Sequence, residues 1–210
     1  MGVAALIMAG GKATRMKMRF EKPLLKIGPR TMLECVIDAL QNAHHVSRII
    51  VVVSPRTPMT ARKAIRLGVD VMVTPGNGFV EDMQYAAKES NAREVLVVCS
   101  DLPFLTSSLV DSVIEEFRRN RKPSLAVVVA AETATKLGIT STQAIDVERK
   151  LIPVGLNMIN AEHIREPELD QSLFLVDSEA LALNVNTPRE LRLARDRARL
   201  SSHEQQTNRD

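Results

Sequence analysis

Two glycines and two cations follow the first apolar run of the chain. Residues 6–16 read LIMAGGKATRM, so Gly10 and Gly11 lead directly into a segment that carries Lys12 and Arg15. Glycine N–H groups can approach an anion closely because glycine has no Cβ, and a guanidinium fork suits phosphate oxygens. The stretch predicts a phosphate site, although a tight turn with solvated cations explains it equally well when it is considered alone.

Three phosphate-binding patterns can be compared with this stretch. A P-loop is excluded, because Leu6 stands where its first glycine belongs and Ala13 follows the lysine. The dinucleotide fingerprint G-x-G-x-x-G is also absent. The third pattern, A-G-G-x-x-x-R-M followed by a Lys-Pro pair, fits, since EKPLLKI supplies Lys22 and Pro23.

Polar residues also follow two later apolar runs. Asp101 comes after VLVVC, and Asn186 lies in LNVNTP. Each has an ordinary explanation, as a helix-entry cap or an N-cap. At one edge of a sheet, however, their oxygens would suit Mg²⁺, which takes one or two carboxylates together with phosphate and water. Lys22 precedes proline, so we expect an extended conformation that holds its ammonium towards the same edge.

A second glycine-containing segment reads TPGNGFVED. Gly76 and Gly78 leave bare backbone that could lie against a flat base and recognise its edge. A turn before a helix is the alternative explanation.

The spacing of apolar runs predicts an α/β doubly wound fold with a mostly parallel sheet. Strands are expected at 3–8, 49–53, 69–73, 95–99, 125–131 and 181–185, and helices at 31–43, 59–67, 79–89, 107–119 and 188–200. Thr31 and Glu34 have the spacing of a capping box. In open α/β sheets, ligands bind beyond the carboxyl ends of the strands, where all the polar motifs above would lie.

The chain is expected to form one domain over residues 1–200. Residues 132–180 are less regular, with strand-like pieces at 151–159 and 173–176, and we interpret them as an insertion that elaborates one edge of the sheet or builds a lid. The polar stretch 201–210 predicts a disordered tail.

Composition limits the possible functions. The net charge is +3 and aromatic residues make up 3% of the chain, which suits an anionic small molecule better than single-stranded nucleic acid. The basic helix 188–199 also carries acids, which indicates a solvated face. Two cysteines are too few for a disulfide framework, and we expect no membrane span and a cytoplasmic location. A homodimer is compatible with the sequence.

Taken together, LIMAGGKATRM, EKPLLKIG, VVCSDLPFL and LNVNTP resemble the nucleotidyltransferase family with a GT-A-like, Rossmann-type fold. That family includes sugar-1-phosphate nucleotidyltransferases and molybdenum-cofactor guanylyltransferases. SPRTPMT, PGNGFVEDM, LIPVGLNMI and FLVDSEALALNVNT narrow the resemblance to the archaeal guanylyltransferases that act on adenosylcobinamide phosphate. The resemblance covers most of residues 3–195, and it implies that the less regular residues 132–180 form an elaboration on the acceptor side.

The resemblance implies a role for each matching residue. Gly10, Gly11, Lys12 and Arg15 would hold the triphosphate of GTP, and Lys22 would meet the α-phosphate. Gly76 and Gly78 would lie at the guanine, Asp101 and Asn186 would hold Mg²⁺ or another divalent cation, and Gly155 and Asn157 would lie near the nucleotide or the acceptor. Arg15, Lys22 and Asp101 would be the catalytic residues. One departure is Ala13, where many family members have glycine.

Other functions stay open at this point. Within the enzymes, the acceptor could be molybdopterin or a sugar 1-phosphate instead of the corrinoid. A catalytically silent nucleotide-binding regulatory domain is the alternative from another class, but such a domain has no chemical need for Arg15, Lys22, Asp101 and Asn186 together.

Overall fold

The computed structural model describes residues 2–16, 20–139, 144–166 and 168–207, with side chains up to residue 200. In chain order, the strands are β1 Val3–Met8, β2 Lys26–Ile27, β3 Arg30–Thr31, β4 Val46–Val53, β5 Asp70–Val73, β6 Glu94–Cys99, β7 Ser124–Ala130, β8 Leu151–Asn160 and β9 Gln171–Leu175. The α-helices are α1 Met32–Gln41, α2 Pro58–Arg66, α3 Phe79–Glu89, α4 Ser107–Asn120, α5 Ala131–Lys136, α6 Glu179–Ala182 and α7 Pro188–Thr207.

The described residues form one seven-stranded sheet and a small β2–β3 hairpin. The order in the large sheet is β5-β4-β1-β6-β8-β7-β9, and β8 alone runs antiparallel to its neighbours β6 and β7. Strand β1 pairs in parallel with β4 on one side and with β6 on the other. The chain therefore changes direction across the sheet at β1, and this is where ligands bind in doubly wound folds.

The continuously apolar strands are buried on both faces of this sheet. In β1, Ala5 and Ile7 pack into one core and Leu6 packs into a second core on the opposite face. Helix α1 begins with the expected capping box, in which Thr31 and Glu34 satisfy each other's backbone N–H groups. The mostly parallel α/β architecture predicted from the sequence is confirmed.

Residues 151–160 and 171–175 join the main sheet as β8 and β9, close to the strand-like pieces that were expected. The predicted strand at 181–185 is wrong. Ser178 caps a short helix over Glu179–Ala182, and Val185 then donates its N–H to the carbonyl of Asp101 (3.0 Å) outside any ladder. Burial of Leu183 and Val185 explains the misleading apolar pattern, because burial does not require a strand.

Helix α7 continues to Thr207, beyond the predicted end at residue 200, so the expected tail is helical as far as that residue. Residues 208–210 lie outside the described residues. None of the helices in the described part of the chain is long and apolar enough to cross a bilayer. The assignment of residues 132–180 to the acceptor side stays a prediction.

Candidate active site

A cleft of about 460 Å³ opens at the carboxyl ends of the parallel strands, beside β1. It brings together residues from segments that are far apart in sequence. Of the predicted site residues, Gly10, Gly11, Lys12, Arg15, Lys22, Gly76, Gly78, Asp101 and Asn186 line it. The convergence inferred from the sequence is therefore present in the tertiary structure.

A three-residue polar cluster forms the inner wall of the cleft. Lys22 Nζ lies 2.5 Å from Asp101 Oδ2 and 2.9 Å from Asn186 Oδ1. Arg15 Nη2 donates to the same Asn186 oxygen at 3.0 Å. An ammonium has three donors, and two of those of Lys22 are used, so one is left for a phosphate oxygen.

Asp101 keeps one oxygen without a partner. Among the described residues, Asp101 Oδ1 is the buried side-chain polar atom that has no hydrogen bond. A buried carboxylate oxygen of this kind costs free energy unless a cation or donor meets it. No three His, Cys, Asp or Glu residues of the described part of the chain converge to hold a metal by themselves. The donor set nevertheless fits Mg²⁺, which binds through one or two carboxylates and otherwise through substrate phosphates.

Local structure releases Asn186 and Asp101 from the capping roles that the sequence left open. Thr187 caps α7, and Glu190 Oε2 accepts the N–H groups of Asn186 (2.6 Å) and Thr187 (2.8 Å). Thr106 caps α4 in the same way, by accepting the N–H of Leu109. The side chains of Asn186 and Asp101 are therefore free to face the cleft.

The turn before α1 places Lys22 differently from the sequence expectation. Lys22 begins a one-turn 3-10 helix, Lys22–Leu24, and Glu21 is the residue that is extended, with φ −65° and ψ 121°. The Glu21 carboxylate also accepts the N–H groups of Met59 (2.8 Å) and Thr60 (2.6 Å) at the start of α2. The position of Lys22 is therefore fixed in two ways: the preceding residue, Glu21, is bound to α2, and the Lys22 side chain is paired with Asp101.

The first glycine loop packs closely against the end of β4. A Cβ on Gly10 would lie 3.0 Å from the Ser54 nitrogen, and Ser54 Oγ donates to the Gly10 carbonyl at 2.8 Å. No atom of the described residues lies within 4 Å of a Cβ placed on Gly11, so this glycine faces open space in that part of the structure. Ala13 has φ 48°, a left-handed conformation that costs an L-residue about 1–2 kcal/mol, and this agrees with the preference for glycine implied by the resemblance.

In the second glycine segment, both backbone polar groups of Gly76 are hydrogen-bonded. Gly76 (φ 77°) donates its N–H to Asp82 Oδ1 at 3.0 Å and accepts from Arg56 Nη1 at 2.8 Å. Gly78 directly precedes α3, so the turn before a helix is also present. The segment lies in the cleft, and its role at the base stays a prediction.

Gly155 and Asn157 are not among the residues that line the cleft. Both lie in β8, where Asn157 pairs with Val97 of β6, and a Cβ on Gly155 would meet Cys99 Sγ at 2.7 Å. Their predicted place near the nucleotide or acceptor stays a prediction. Burial, with a further contribution from the Asp101 charge, raises the pKa of the Cys99 thiol to about 12, so this cleft residue is no thiolate at neutral pH.

Sequence reasoning missed three polar residues of the cleft and its support: Ser54, Arg56 and Asp82. The available signal was the position of SPR directly after the buried strand β4. This is the same relation to a strand end that identified the Gly10–Gly11 loop and Asp101.

Fold and cleft together define a doubly wound α/β protein with a cleft lined by Lys12, Arg15 and Lys22 at the switch point of its sheet. A family model described as the MobA-like NTP transferase domain matches residues 5–168, and the chain belongs to this family. It is a nucleotidyltransferase, as the sequence motifs indicated.

Two curated relatives illustrate the range of similarity. The chain is 32% identical to adenosylcobinamide-phosphate guanylyltransferase of Methanocaldococcus jannaschii over 90% of this chain and 94% of that protein. It is 26% identical to the bifunctional protein GlmU of Exiguobacterium sibiricum over 84% of this chain but 39% of that protein.

Solved structures share the fold. A CMP:2-keto-3-deoxy-manno-octonic acid synthetase complexed with CTP superposes with a TM-score of 0.71, at 16% identity, over 97% of this chain and 98% of the other. The 4-diphosphocytidyl-2C-methyl-D-erythritol synthase of Anaerococcus prevotii reaches 0.69 at 11% identity, over 94% and 98% of the two chains. At these identities the likeness establishes the architecture alone.

Proposed function

We propose that this protein is a guanylyltransferase that moves GMP from GTP onto adenosylcobinamide phosphate, releases pyrophosphate and forms adenosylcobinamide-GDP in cobalamin biosynthesis. The observation that carries the reaction class is the Lys22–Asp101–Asn186 cluster, with its buried unpaired carboxylate oxygen, at the switch point of the sheet. The acceptor follows from the similarity to the Methanocaldococcus jannaschii enzyme along nearly the whole of both chains.

The reaction is an in-line displacement at phosphorus. An oxygen of the acceptor's phosphate forms a bond to the α-phosphorus of GTP, and the bond from that phosphorus to the bridging oxygen of the β-phosphate breaks. The pyrophosphate leaves with the bonding electron pair. Because a phosphate monoester is already an anion near neutral pH, the step needs no general base.

The protein contributes position and charge to this step. The remaining donor of Lys22 would meet a non-bridging oxygen of the α-phosphate, where negative charge accumulates. Arg15 and the N–H groups around Gly11 would steady the leaving pyrophosphate, since both border the cleft and Gly11 faces open space.

A divalent cation would be held by Asp101 and Asn186. Bound there, it would supply positive charge that offsets the charge on the nucleotide phosphates. Lys22 and Arg15 contact Asp101 Oδ2 and Asn186 Oδ1, and Asp101 Oδ1 is the oxygen that these cations leave for a metal ion.

The acceptor side is proposed to lie along the start of β8. Strand β6 pairs with β8 only from Leu156 onward, so the first part of β8 projects beyond the carboxyl end of β6. A bridge between Asp146 and Leu151 extends the sheet there, and the apolar side chains of Ile145 and Val147 are exposed beside it. An open, partly apolar rim suits a large corrinoid better than a closed sugar pocket would.

The test is a substrate matrix. The protein is incubated with Mg²⁺ and each of the four NTPs in the presence of adenosylcobinamide phosphate, mannose 1-phosphate or molybdopterin, and pyrophosphate is measured. We expect release with GTP and the corrinoid. Turnover of either other acceptor, with none of the corrinoid, would contradict the acceptor assignment and leave the nucleotidyltransferase class intact.

A further inference from the structure

Asp82 is a buried acid in the wall of the cleft. It lies in the first turn of α3, is 8% exposed and lines the cleft beside Gly76 and Gly78. A carboxylate in such a place needs partners for two oxygens, because desolvation disfavours the charged form.

One of these oxygens has a structural partner and the other does not. Asp82 Oδ1 accepts the N–H of Gly76 at 3.0 Å. Within the described residues, Asp82 Oδ2 accepts no hydrogen bond, and it is not enclosed by protein, since the enclosed oxygen without a partner is Asp101 Oδ1. Asp82 Oδ2 is therefore accessible, on a residue that borders the cleft.

The backbone of Gly76 is already engaged on both sides. Its N–H is taken by Asp82, and its carbonyl accepts from Arg56 Nη1. This loop is consequently held in place, and Gly76 has no N–H left for a base. The Asp82 carboxylate that engages Gly76 is a charged acceptor beside this loop and on the lining of the cleft.

We propose that the Asp82 carboxylate selects guanine by accepting hydrogen bonds from the N1–H and the 2-amino group of the base. This inference rests on the proposed function and names the residue that would make the enzyme prefer GTP to other nucleotides. Guanine presents these two donors side by side, which a carboxylate can accept together. Adenine has an acceptor at N1 and no donor at C2, so the carboxylate would face a lone pair and remain unpaired.

The test compares nucleotide binding by calorimetry in wild type and Asp82→Asn, with Mg²⁺ and without any acceptor. Four triphosphates are used: GTP, ITP, which lacks the 2-amino group, XTP, which carries a carbonyl oxygen at C2, and ATP. Wild type should bind GTP about tenfold or more tightly than ITP, and XTP and ATP more weakly still, since a hydrogen bond to a charged group contributes about this much.

Asp82→Asn should change the order of these affinities. The amide oxygen can still accept from Gly76, so the loop keeps its support, while the amide NH₂ can donate to the C2 carbonyl of xanthine. The GTP-to-XTP affinity ratio should fall by about tenfold or more. Glu89→Gln is the matched control, because it removes an exposed charge at the far end of the same helix, away from the residues that line the cleft, and it should leave every ratio unchanged.

Equal weakening of all four nucleotides by Asp82→Asn would overturn the proposal and assign Asp82 to loop support. Should the variant fail to fold by circular dichroism, equal wild-type affinity for GTP and ITP would overturn it independently. Neither measurement involves the corrinoid, so a wrong acceptor and a wrong role for Asp82 give different results.

Discussion

Two lysine–carboxylate pairs in this protein have the same separation but different surroundings. Lys63 Nζ lies 2.5 Å from Glu34 Oε1 at the start of α1, and Lys22 Nζ lies 2.5 Å from Asp101 Oδ2 in the cleft. Glu34 has both oxygens bonded, since Thr31 donates to Oε2 through its N–H and its hydroxyl. Asp101 has a buried oxygen left over. The first pair is complete as a structural element, and the second lacks a partner that a substrate or cation can supply.

The two ends of the sheet also differ in whether their charged groups have partners. A larger cavity of about 910 Å³ lies at the amino ends of the strands and is lined by several cations. Most of them are paired with acids of the same surface: Arg48 with Asp70, Arg93 with Glu162, Arg118 with Glu94 and Lys122 with Asp170. The proposed site therefore differs from this larger cavity in its unpaired buried oxygen, not in its volume or its number of charges.

The strongest test of this comparison is Asp101→Asn. If the unpaired oxygen matters for the chemistry, kcat/KM for GTP should fall on the order of 10²–10³-fold, as expected for loss of an electrostatic contact to the reacting phosphates. Pyrophosphate release measures the rate, and circular dichroism measures the fold. Asp170→Asn, at the opposite end of the sheet, is the control. A folded Asp101→Asn enzyme with most of its activity would show that the leftover oxygen is not functional.

Arg15→Ala sharpens the comparison on the phosphate side of the cleft. Within the described part of the chain, Arg15 donates one hydrogen bond, to Asn186, so most of its donors can meet the nucleotide. Its loss should weaken GTP binding roughly tenfold or more. GMP binding should change much less, because GMP lacks the β- and γ-phosphates. Calorimetry with both nucleotides tests this, and equal losses would return the loop to a purely structural role.

Loss of the fully bonded Lys63–Glu34 pair should reduce the stability of the protein and leave its turnover unchanged. Burial alone would raise the pKa of Glu34, but hydrogen bonds from Lys63 and Thr31 outweigh it and lower the pKa to about 2. Glu34→Gln should lower the free energy of unfolding by about 1 kcal/mol at neutral pH, after allowance for solvent screening.

Because the folded pKa lies below the unfolded value near 4.5, this contribution is present above pH 4.5 and is lost as the pH falls towards 2. Urea unfolding of both proteins across this range should show the difference shrinking with acid. A difference that does not vary with pH would mean that the charge of Glu34 is not what stabilises α1.

The smallest effect is expected from the paired cations at the amino end. Arg48→Ala and Lys122→Ala should each change kcat/KM by less than about twofold and stability by about 0.5 kcal/mol, which is the usual contribution of exposed ion pairs. A tenfold loss of activity in either variant would contradict the view that this cavity is not part of the reaction site.

The fold could be predicted largely from local pattern. Apolar runs at even spacing predicted the parallel strands, and Thr31 with Glu34 predicted the start of α1. Both signals depend only on residues that are close in sequence. The stretch 181–185 failed for a physical reason. It is buried like a strand, but Ser178 caps a short helix there, and Val185 bonds to Asp101 instead of to a ladder.

The sequence by itself determined the family, the α/β class and nine of the residues that line the cleft, since each of these follows a strand or matches a motif. Only the tertiary structure decided what each residue does with its hydrogen bonds. Glu190 and Thr187 complete the cap of α7 and release Asn186 towards Lys22, and Asp82 and Arg56 engage Gly76 from different parts of the chain. The Lys22–Asn186 and Arg56–Gly76 contacts join residues distant in sequence, whereas the Thr187–Glu190 and Gly76–Asp82 contacts are local. Which oxygen is left unpaired depends on the two kinds of contact together.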